Sequence, residues 1–75
     1  MPRTNVNPVA TKYRRFNDWL RGERKARKIK QKEIAEYLNI PQSQYSKREN
    51  GEIEWGFKEI LEILELLETD IKDVL

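Results

Sequence analysis

Cysteine and histidine are both missing from the 75 residues of this chain, and their absence removes several classes of site at once. Disulfide frameworks, zinc sites built on these residues, thiol nucleophiles and imidazole bases all need one of them. Most enzyme and metal-centre interpretations are therefore disfavoured, and we expect no catalytic residue, no metal and no cofactor. The lack of cysteine also agrees with a reducing cytosol, although such a chain is compatible with any compartment.

Long apolar runs are missing too. No segment approaches the roughly 20 apolar residues that a membrane span needs. The first ten residues lack the apolar centre of a signal peptide. We therefore expect a soluble, cytoplasmic protein without a membrane partner. Its 75 residues give room for one domain with a single small core.

The charges divide the chain into a basic and an acidic part, although the net charge is only +2. Residues 1–50 contain 13 Lys and Arg against 5 Asp and Glu, a net of +8, whereas residues 51–75 contain 2 against 8, a net of −6. Six of the basic residues lie between Arg21 and Lys30. Such asymmetry indicates a basic surface that meets a polyanion, with the acidic remainder held away from it. The alternative is that the charges are only solvated faces of helices.

Helices are predicted throughout, because apolar residues recur at helical spacing and no segment alternates as a strand does. Residues 1–11 have no periodicity and predict a flexible arm, followed by one domain over residues 12–75. From about Thr11 to Arg27, apolar residues at three- and four-residue steps predict a first helix, which Gly22 weakens. A short last helix is predicted after Thr69.

The stretch from Lys30 to Gly51 changes its hydrophobic rhythm halfway and predicts two short helices joined by a tight turn. The first begins near Gln31 and has one apolar edge. Asn39 tolerates the left-handed conformation of a sharp helix exit, and a new helix is predicted to start at or just after Pro41. That helix is almost empty of large apolar residues, and Tyr45 alone is predicted to point inward.

Two short helices with a tight turn describe a helix-turn-helix over about residues 31–49, whose second helix enters the major groove of DNA. Such a helix must leave one face uncovered, with side chains that exchange hydrogen bonds with base edges. Gln suits adenine, Lys suits guanine and Ser suits several bases. The bases are therefore predicted to be read by Gln42, Ser43, Gln44 and Lys47. The alternative is an exposed helix face without a partner.

The segment from Phe57 to Leu67 is the most hydrophobic part of the chain and predicts a further helix. Its apolar arc covers roughly 220°, wider than the stripe of about 100° that a surface helix needs. The core side is predicted to hold Phe57, Ile60, Ile63, Leu64 and Leu67. A partner that covers the excess would contact Leu61, Ile63 and Leu66, and burial in the core is the alternative for these three.

The segments QKEIAEYL and SKRENG, in combination, resemble the Cro/repressor-type (XRE) helix-turn-helix family, which includes the lambdoid phage repressors. The resemblance runs from about Phe16 to Leu75. It implies an all-α fold, a compact five-helix bundle similar to the lambda repressor DNA-binding domain. It also implies that the chain binds double-stranded operator DNA, usually as a homodimer.

The resemblance assigns roles by position. Gln31 matches a residue that holds a phosphate and braces the first base-reading residue, and Asn50 falls in a loop that approaches a phosphate. Arg24 and Glu49 match a partly buried ion pair that ties the first helix to the end of the third. Apart from the resemblance, the basic cluster suggests further contacts to the DNA backbone from some of Arg21, Lys28 and Lys30, with ordinary solubility as the alternative.

Four positions depart from the family pattern. Asn39 replaces the usual turn glycine, and Arg48 occupies a position that is usually apolar. Pro41 replaces a Ser or Thr that would cap the base-reading helix, which leaves the geometry of its first turn open. Glu68 replaces a Gly that normally ends the fourth helix. This substitution predicts a less sharp junction between the last two helices.

The sequence thus predicts a prokaryotic or phage transcriptional regulator that binds a palindromic operator as a two-fold dimer, on half-sites about 34 Å apart. We expect repression of transcription rather than activation, because a chain of this length leaves no room for a sensing or activating domain. One alternative is an antitoxin that binds DNA and also a toxin protein through its acidic, apolar C-terminal half. Another is a protein-interaction module that does not bind DNA. No small-molecule ligand is evident from the sequence.

Overall fold

The computed structural model describes residues 8–74 of the chain and the side chains of residues 13–74. Within this range the chain forms four α-helices and one turn of 3-10 helix, and it contains no strand. The elements are α1 (Pro8–Arg27), α2 (Gln31–Leu38), α3 (Gln42–Glu49), α4 (Phe57–Leu66) and the 3-10 helix (Ile71–Asp73). The predicted all-helical bundle is confirmed, with its fifth helix reduced to a 3-10 turn.

The first helix starts earlier than the sequence predicted. α1 begins at Pro8, within the segment assigned to the N-terminal arm. Proline suits a first helical turn, because its fixed φ fits the helix and its nitrogen needs no acceptor. Residues 1–7 of the predicted arm lie outside the described residues, and the division into an arm and a domain stays a prediction.

The core lies where the four α-helices meet. α1 contributes Phe16 and Leu20, both fully buried and four residues apart, as a helix that buries one face requires. A fully buried side chain of this size stabilises the fold by about 1.5–3 kcal/mol. The remaining core side chains are Ile34, Ala35, Leu38, Tyr45, Trp55, Ile60, Ile63, Leu64, Leu67 and Val74.

Trp55, in the loop between α3 and α4, connects the aromatic side chains of the core. Its ring centroid lies 5.7 Å from that of Phe16 and 5.6 Å from that of Tyr45, in edge-to-face arrangements. Each such pair contributes about 0.5–1.5 kcal/mol beyond the area it buries. The indole Nε1 donates to Oδ1 of the buried Asn17 at 2.7 Å. The loop is therefore attached to α1 by both packing and a hydrogen bond.

Three helices end at a residue in the left-handed conformation, and none of these residues is glycine. Lys28, Asn39 and Glu68 have φ values of 57°, 60° and 54° and follow α1, α2 and α4. In each case the N–H group of the following residue donates a hydrogen bond to a carbonyl oxygen in the last turn of the helix. These bonds run from Ile29 to Arg24 at 2.8 Å, from Ile40 to Ala35 at 3.0 Å and from Thr69 to Leu64 at 2.9 Å. Asn39 behaves as predicted. Glu68 adopts the conformation of the missing glycine, so the prediction of a less sharp junction is wrong.

α4 differs from the prediction at two positions. Phe57 is 69% exposed, because it is the first residue of the helix and lies one turn before Ile60 reaches the core. Ile63 is fully buried on the core-facing side and cannot contact a partner, so it is withdrawn from the candidate dimer contacts. Of the other two candidates, Leu61 is 44% exposed and Leu66 packs against the core.

Candidate nucleic-acid interface

The turn between α2 and α3 determines where the predicted base-reading helix begins. Asn39 ends α2 with φ 60° and ψ 43°, and Pro41 precedes α3 in an extended conformation, with φ −63° and ψ 149°. The Pro41 carbonyl accepts hydrogen bonds from the N–H groups of Gln44 and Tyr45, both at 3.0 Å. No side chain caps the helix. The proline therefore starts α3 through its backbone alone, which answers how the chain manages without a Ser or Thr here.

α3 has a buried edge and an exposed polar face. Tyr45 and Glu49, four residues apart, are 0% and 1% exposed. An arc of about 140° carries three exposed side chains that were predicted to read bases: Gln42, Ser43 and Lys47. Gln42 projects near Glu49 around the helix axis but lies at the opposite end of the helix. The structure thus brings these three together on one surface.

Gln44, the fourth residue predicted to read bases, lies at the edge of this surface and is only half exposed. Its side-chain oxygen accepts a hydrogen bond from Nη1 of Arg48 at 3.3 Å, and its backbone carbonyl accepts from the same nitrogen at 3.0 Å. Nε of Arg48 also donates to Glu59 on α4 at 3.1 Å. Arg48 therefore holds Gln44 in place and ties α3 to α4.

Glu49, at the end of α3, accepts four hydrogen bonds on its carboxylate. Oε2 accepts from Nε of Arg24 at 2.9 Å and from the hydroxyl of Tyr45 at 2.7 Å. Oε1 accepts from Nη2 of Arg24 at 2.9 Å and from Nε2 of Gln31 at 3.0 Å. The ion pair with Arg24 is bidentate, the geometry in which a guanidinium binds a carboxylate most strongly. We call these four side chains the Glu49 cluster, and they join α1, α2 and α3.

The surroundings of the Glu49 cluster favour its ionised form. Burial raises the pKa of Glu49, but hydrogen bonds from Arg24, Tyr45 and Gln31 outweigh it, so the pKa lies below its ordinary value. The hydrogen bond to Glu49 raises the pKa of Arg24. Burial and the bond to Glu49 raise the pKa of Tyr45. The carboxylate therefore stays negative and the hydroxyl stays a donor around neutral pH.

Two members of the Glu49 cluster have roles that the sequence did not indicate. Tyr45 was predicted to point inward, but not to donate a hydrogen bond. Gln31 was predicted to hold a phosphate, and in the structure its amide donates to Glu49. The spacing of Tyr45 and Glu49, four residues apart on one helix, is the signal that could have indicated the first of these bonds.

The residues predicted to contact the DNA backbone fall into two groups. Lys28 and Lys30, in the turn between α1 and α2, and Asn50, at the end of α3, are exposed as a phosphate contact requires. Arg21 is half-buried, and its Nη1 donates to the backbone carbonyl of Glu49 at 2.7 Å. Its Nη2 pairs with an acidic side chain one turn earlier on α1. Arg21 therefore holds α1 against the end of α3.

A helix-turn-helix family model matches residues 20–74, which contain α2, α3, α4 and the Glu49 cluster. The chain belongs to the XRE family of helix-turn-helix domains. This is a family of DNA-binding regulators and not a family of enzymes. No curated protein and no solved structure matches the chain.

The described part of this XRE-family chain has groups suited to binding a nucleic acid. From residue 8 to residue 74, no helix is long and apolar enough to cross a membrane. Over the same residues, no group of acidic side chains is arranged to hold a metal ion. The exposed face of α3 presents amide, hydroxyl and ammonium groups, which can exchange hydrogen bonds with a nucleic acid.

Proposed function

We propose that this XRE-family protein is a transcriptional repressor that binds a palindromic operator as a two-fold dimer. The observation that carries the proposal is the exposed face of α3, where Gln42, Ser43 and Lys47 lie within an arc of about 140°. Side chains of these types at the N-terminal end of such a helix can reach base edges in the major groove. We assign the base contacts to them and a supporting contact to Gln44.

The rigidity of α3 supports this assignment. A surface that discriminates between bases must be held in place by the residues behind it. The Glu49 cluster attaches α3 to α1 and α2 from the buried side, and the pair between Arg48 and Glu59 attaches it to α4. An eight-residue helix has little stability of its own, so these attachments determine how its polar face is presented.

The basic part of the chain supports contacts to the DNA backbone. Lys28, Lys30 and Asn50 are exposed at the two ends of the helix-turn-helix, and residues 1–50 carry a net charge of +8. Cations placed beside phosphates supply affinity without reading sequence, and they make that affinity salt-dependent. We assign the phosphate contacts to these three residues, with Gln31 adding one if its amide leaves Glu49.

The proposed dimer contact lies on α4. Leu61 is 44% exposed, and Phe57, four residues earlier on the same face, is 69% exposed. Leu66 lies about 140° from Leu61 around the helix and packs against the core, so it contributes less. The same apolar surface within the acidic half would receive a toxin protein if the chain were an antitoxin. We favour a second copy of the chain, because a two-fold dimer matches a palindromic site.

Sedimentation equilibrium tests the dimer contact. The double variant Phe57→Ser, Leu61→Ser is expected to weaken self-association by at least about tenfold, which corresponds to about 1.4 kcal/mol. Tyr37→Ser is the matched control, because Tyr37 is an exposed aromatic residue on a different helix, α2. A wild-type chain that stays monomeric both alone and on its selected DNA site would contradict the dimer.

Selection from random DNA at about 50 and 200 mM salt tests the repressor proposal, because specific sites persist where non-specific binding weakens. Enriched palindromic sites are expected. Gln42→Ala is expected to weaken binding to them by about 1–3 kcal/mol and to relax the preference at one position. Lys47→Ala should weaken binding, whereas its control Lys72→Ala, in the acidic half, should not. No enrichment, together with binding indifferent to Gln42 and Lys47, would refute the proposal and favour an interaction module.

A further inference from the structure

A cleft separates α1 from the loop that follows α3, and no role in DNA recognition accounts for it. Its volume is about 380 Å³, within the usual range of about 300–1,000 Å³ for sites that bind small molecules. Tyr13, Arg14 and Asn17 line it from α1, and Ile53 and Trp55 line it from the loop. The α1 wall is therefore polar and basic, whereas the loop wall combines these two apolar side chains with polar and acidic residues.

Asn17 is a buried polar side chain whose amide oxygen is hydrogen-bonded and whose amide nitrogen is not. It is 7% exposed, and its Oδ1 accepts the hydrogen bond from Trp55 Nε1 at 2.7 Å. An indole nitrogen can only donate, so the atom facing it must be the amide oxygen. The amide nitrogen then faces Gly51 across the cleft, where an added Cβ would lie 3.9 Å from it. Among the described residues this nitrogen has no acceptor. Since buried donors are nearly always paired, an acceptor within the cleft is expected.

Arg14 supplies a positive charge beside this donor. It precedes Asn17 by three residues, so both lie on one face of α1. It is exposed, and within the described part of the chain its guanidinium has no ion-pair or hydrogen-bond partner. Arg21, one turn beyond Asn17, also lines this wall, but its guanidinium already pairs with Asp18. The negative charge of Glu49 is compensated by Arg24, which leaves Glu54 as the opposing carboxylate.

We propose that this cleft binds a small molecule that carries a carboxylate, which accepts hydrogen bonds from Asn17 Nδ2 and from the guanidinium of Arg14. A planar monoanion fits the fork of an arginine. It is also repelled less by Glu54 than a phosphate dianion would be. The side chains of Tyr13 and Ile53 offer contact to the organic part of the ligand, which a bare inorganic anion could not use.

Occupancy of the cleft has a consequence for DNA binding. Asn50, which we assign to a phosphate contact, also lines the cleft. A bound carboxylate would place a negative charge near the DNA backbone and lower DNA affinity. This consequence rests on the proposed function, whereas binding of the carboxylate does not and is tested without DNA.

Nitrogen-15 NMR of the whole chain tests the proposal, with separate titrations of sodium acetate, sodium benzoate and sodium phosphate compared with sodium chloride. Saturable shifts are expected at the Asn17 side-chain amide and at the indole N–H of Trp55. The indole of Trp19, which does not line the cleft, serves as an internal reference. Stronger binding of benzoate than of acetate is expected, because its ring can contact Tyr13 and Ile53. Absence of saturable shifts with both carboxylates overturns the proposal, as does a response to inorganic phosphate alone, which would indicate a pocket for the DNA backbone.

Two substitutions locate the site. Arg14→Gln is expected to weaken benzoate binding by about tenfold, the loss of roughly one charge-assisted hydrogen bond. Lys25→Gln is its matched control on α1, because Lys25 is exposed and does not line the cleft. Asn17→Asp keeps an acceptor for Trp55 but removes the donor, and it should abolish binding. If Asn17→Asp does not fold, Arg14→Gln remains decisive, and equal weakening by Arg14→Gln and Lys25→Gln would overturn the assignment.

Discussion

At the scale of single residues, the carboxylate of Glu49 is 1% exposed and accepts hydrogen bonds from side chains on all three of the first helices. Removing two charges from water is costly, so a buried pair such as this one is weak evidence for net stability. Removing one partner is different, because it leaves the other charge buried without compensation. The orientation of α3 therefore depends on the Arg24–Glu49 pair, in which replacing either residue alone is expected to be destabilising.

Arg24→Met should lower the free energy of unfolding by about 3–5 kcal/mol, because it leaves Glu49 buried without its cation. Urea denaturation at pH 7 measures this decrease. Lys25→Met is the control, since it removes a neighbouring exposed cation and should change stability by less than about 0.5 kcal/mol. Equal decreases in the two variants would show that the Glu49 cluster does not hold α1 against α3.

The contribution of Glu49 should depend on pH. Its pKa is lower in the folded chain than in the unfolded chain, so its stabilisation is complete above the ordinary carboxyl pKa and is lost as pH falls through the folded value. The difference in stability between the wild type and Glu49→Gln should be constant from pH 7 to about pH 5 and shrink below about pH 4. Denaturation at a series of pH values checks this. A difference that stays constant to pH 2 would contradict it.

Glu68→Gly should stabilise the protein by about 0.5–1 kcal/mol. Glu68 has φ 54°, a conformation that costs a residue with a side chain about 1–2 kcal/mol and glycine almost nothing. The greater freedom of glycine in the unfolded chain offsets part of this gain. Glu65→Gly, within α4, is the matched control and should destabilise by about 1 kcal/mol. Thermal unfolding measures both, and the same sign for the two variants would contradict the argument.

At the scale of elements, the two central helices are only eight residues long and owe their stability to tertiary packing. α1 is longer, with 20 residues, and it provides the surface on which both the Trp55 loop and the Glu49 cluster are fixed. Its one glycine, Gly22, lies inside the helix, in its C-terminal third. α1 is therefore the helix whose stability should respond most to a substitution that changes helix propensity.

Gly22→Ala should stabilise α1, and with it the domain, by about 0.5–1 kcal/mol. Gly22 is exposed in an ordinary helical conformation, and an added Cβ would meet no atom within 4 Å. Gly51→Ala is the control, because Gly51 has φ 85° and the same substitution there should destabilise the chain. The two midpoints of thermal unfolding should move in opposite directions. A decrease for Gly22→Ala would indicate that residue 22 approaches something beyond this chain.

At the scale of the whole molecule, the division of charge matches the division of structure. The helix-turn-helix lies in the part with a net charge of +8, and α4 with the 3-10 helix lies in the part with a net charge of −6. A polyanion is attracted to the first part and repelled by the second, so the charges orient the domain before any specific contact forms.

Lys30→Gln should reduce the salt dependence of DNA binding. Neutralising one cation that pairs with a phosphate makes the slope of log Kobs against log salt concentration shallower by about 0.9. Fluorescence anisotropy on the selected site, between about 50 and 200 mM salt, measures that slope. Lys58→Gln, in the acidic half, is the control and should leave it unchanged. An unchanged slope for Lys30→Gln would remove Lys30 from the proposed phosphate contacts.

Local features of the sequence were sufficient to predict the helices, the left-handed turn at Asn39 and the start of α3 after Pro41. Helical periodicity and turn chemistry depend on residues close together in the chain, so a sequence carries them directly. The pair of Arg24 and Glu49 was also predicted, but through the family resemblance. Glu68 was judged wrongly, because tertiary packing can impose a left-handed conformation on a residue that does not favour it.

Only the tertiary structure determined which side chains meet. Phe57 lies outside the core, although it is on the core-facing side of α4. Helical spacing predicts the side of the helix on which a residue lies, but not whether a neighbouring helix extends far enough to cover it. The bond of Gln31 to Glu49 and the unused amide nitrogen of Asn17 involve residues on different elements. Such contacts depend on how helices pack, and packing is set by the whole core together. The sequence by itself therefore determined the elements and the polar face of α3, and the tertiary structure decided how that face is held and where a cleft opens beside it.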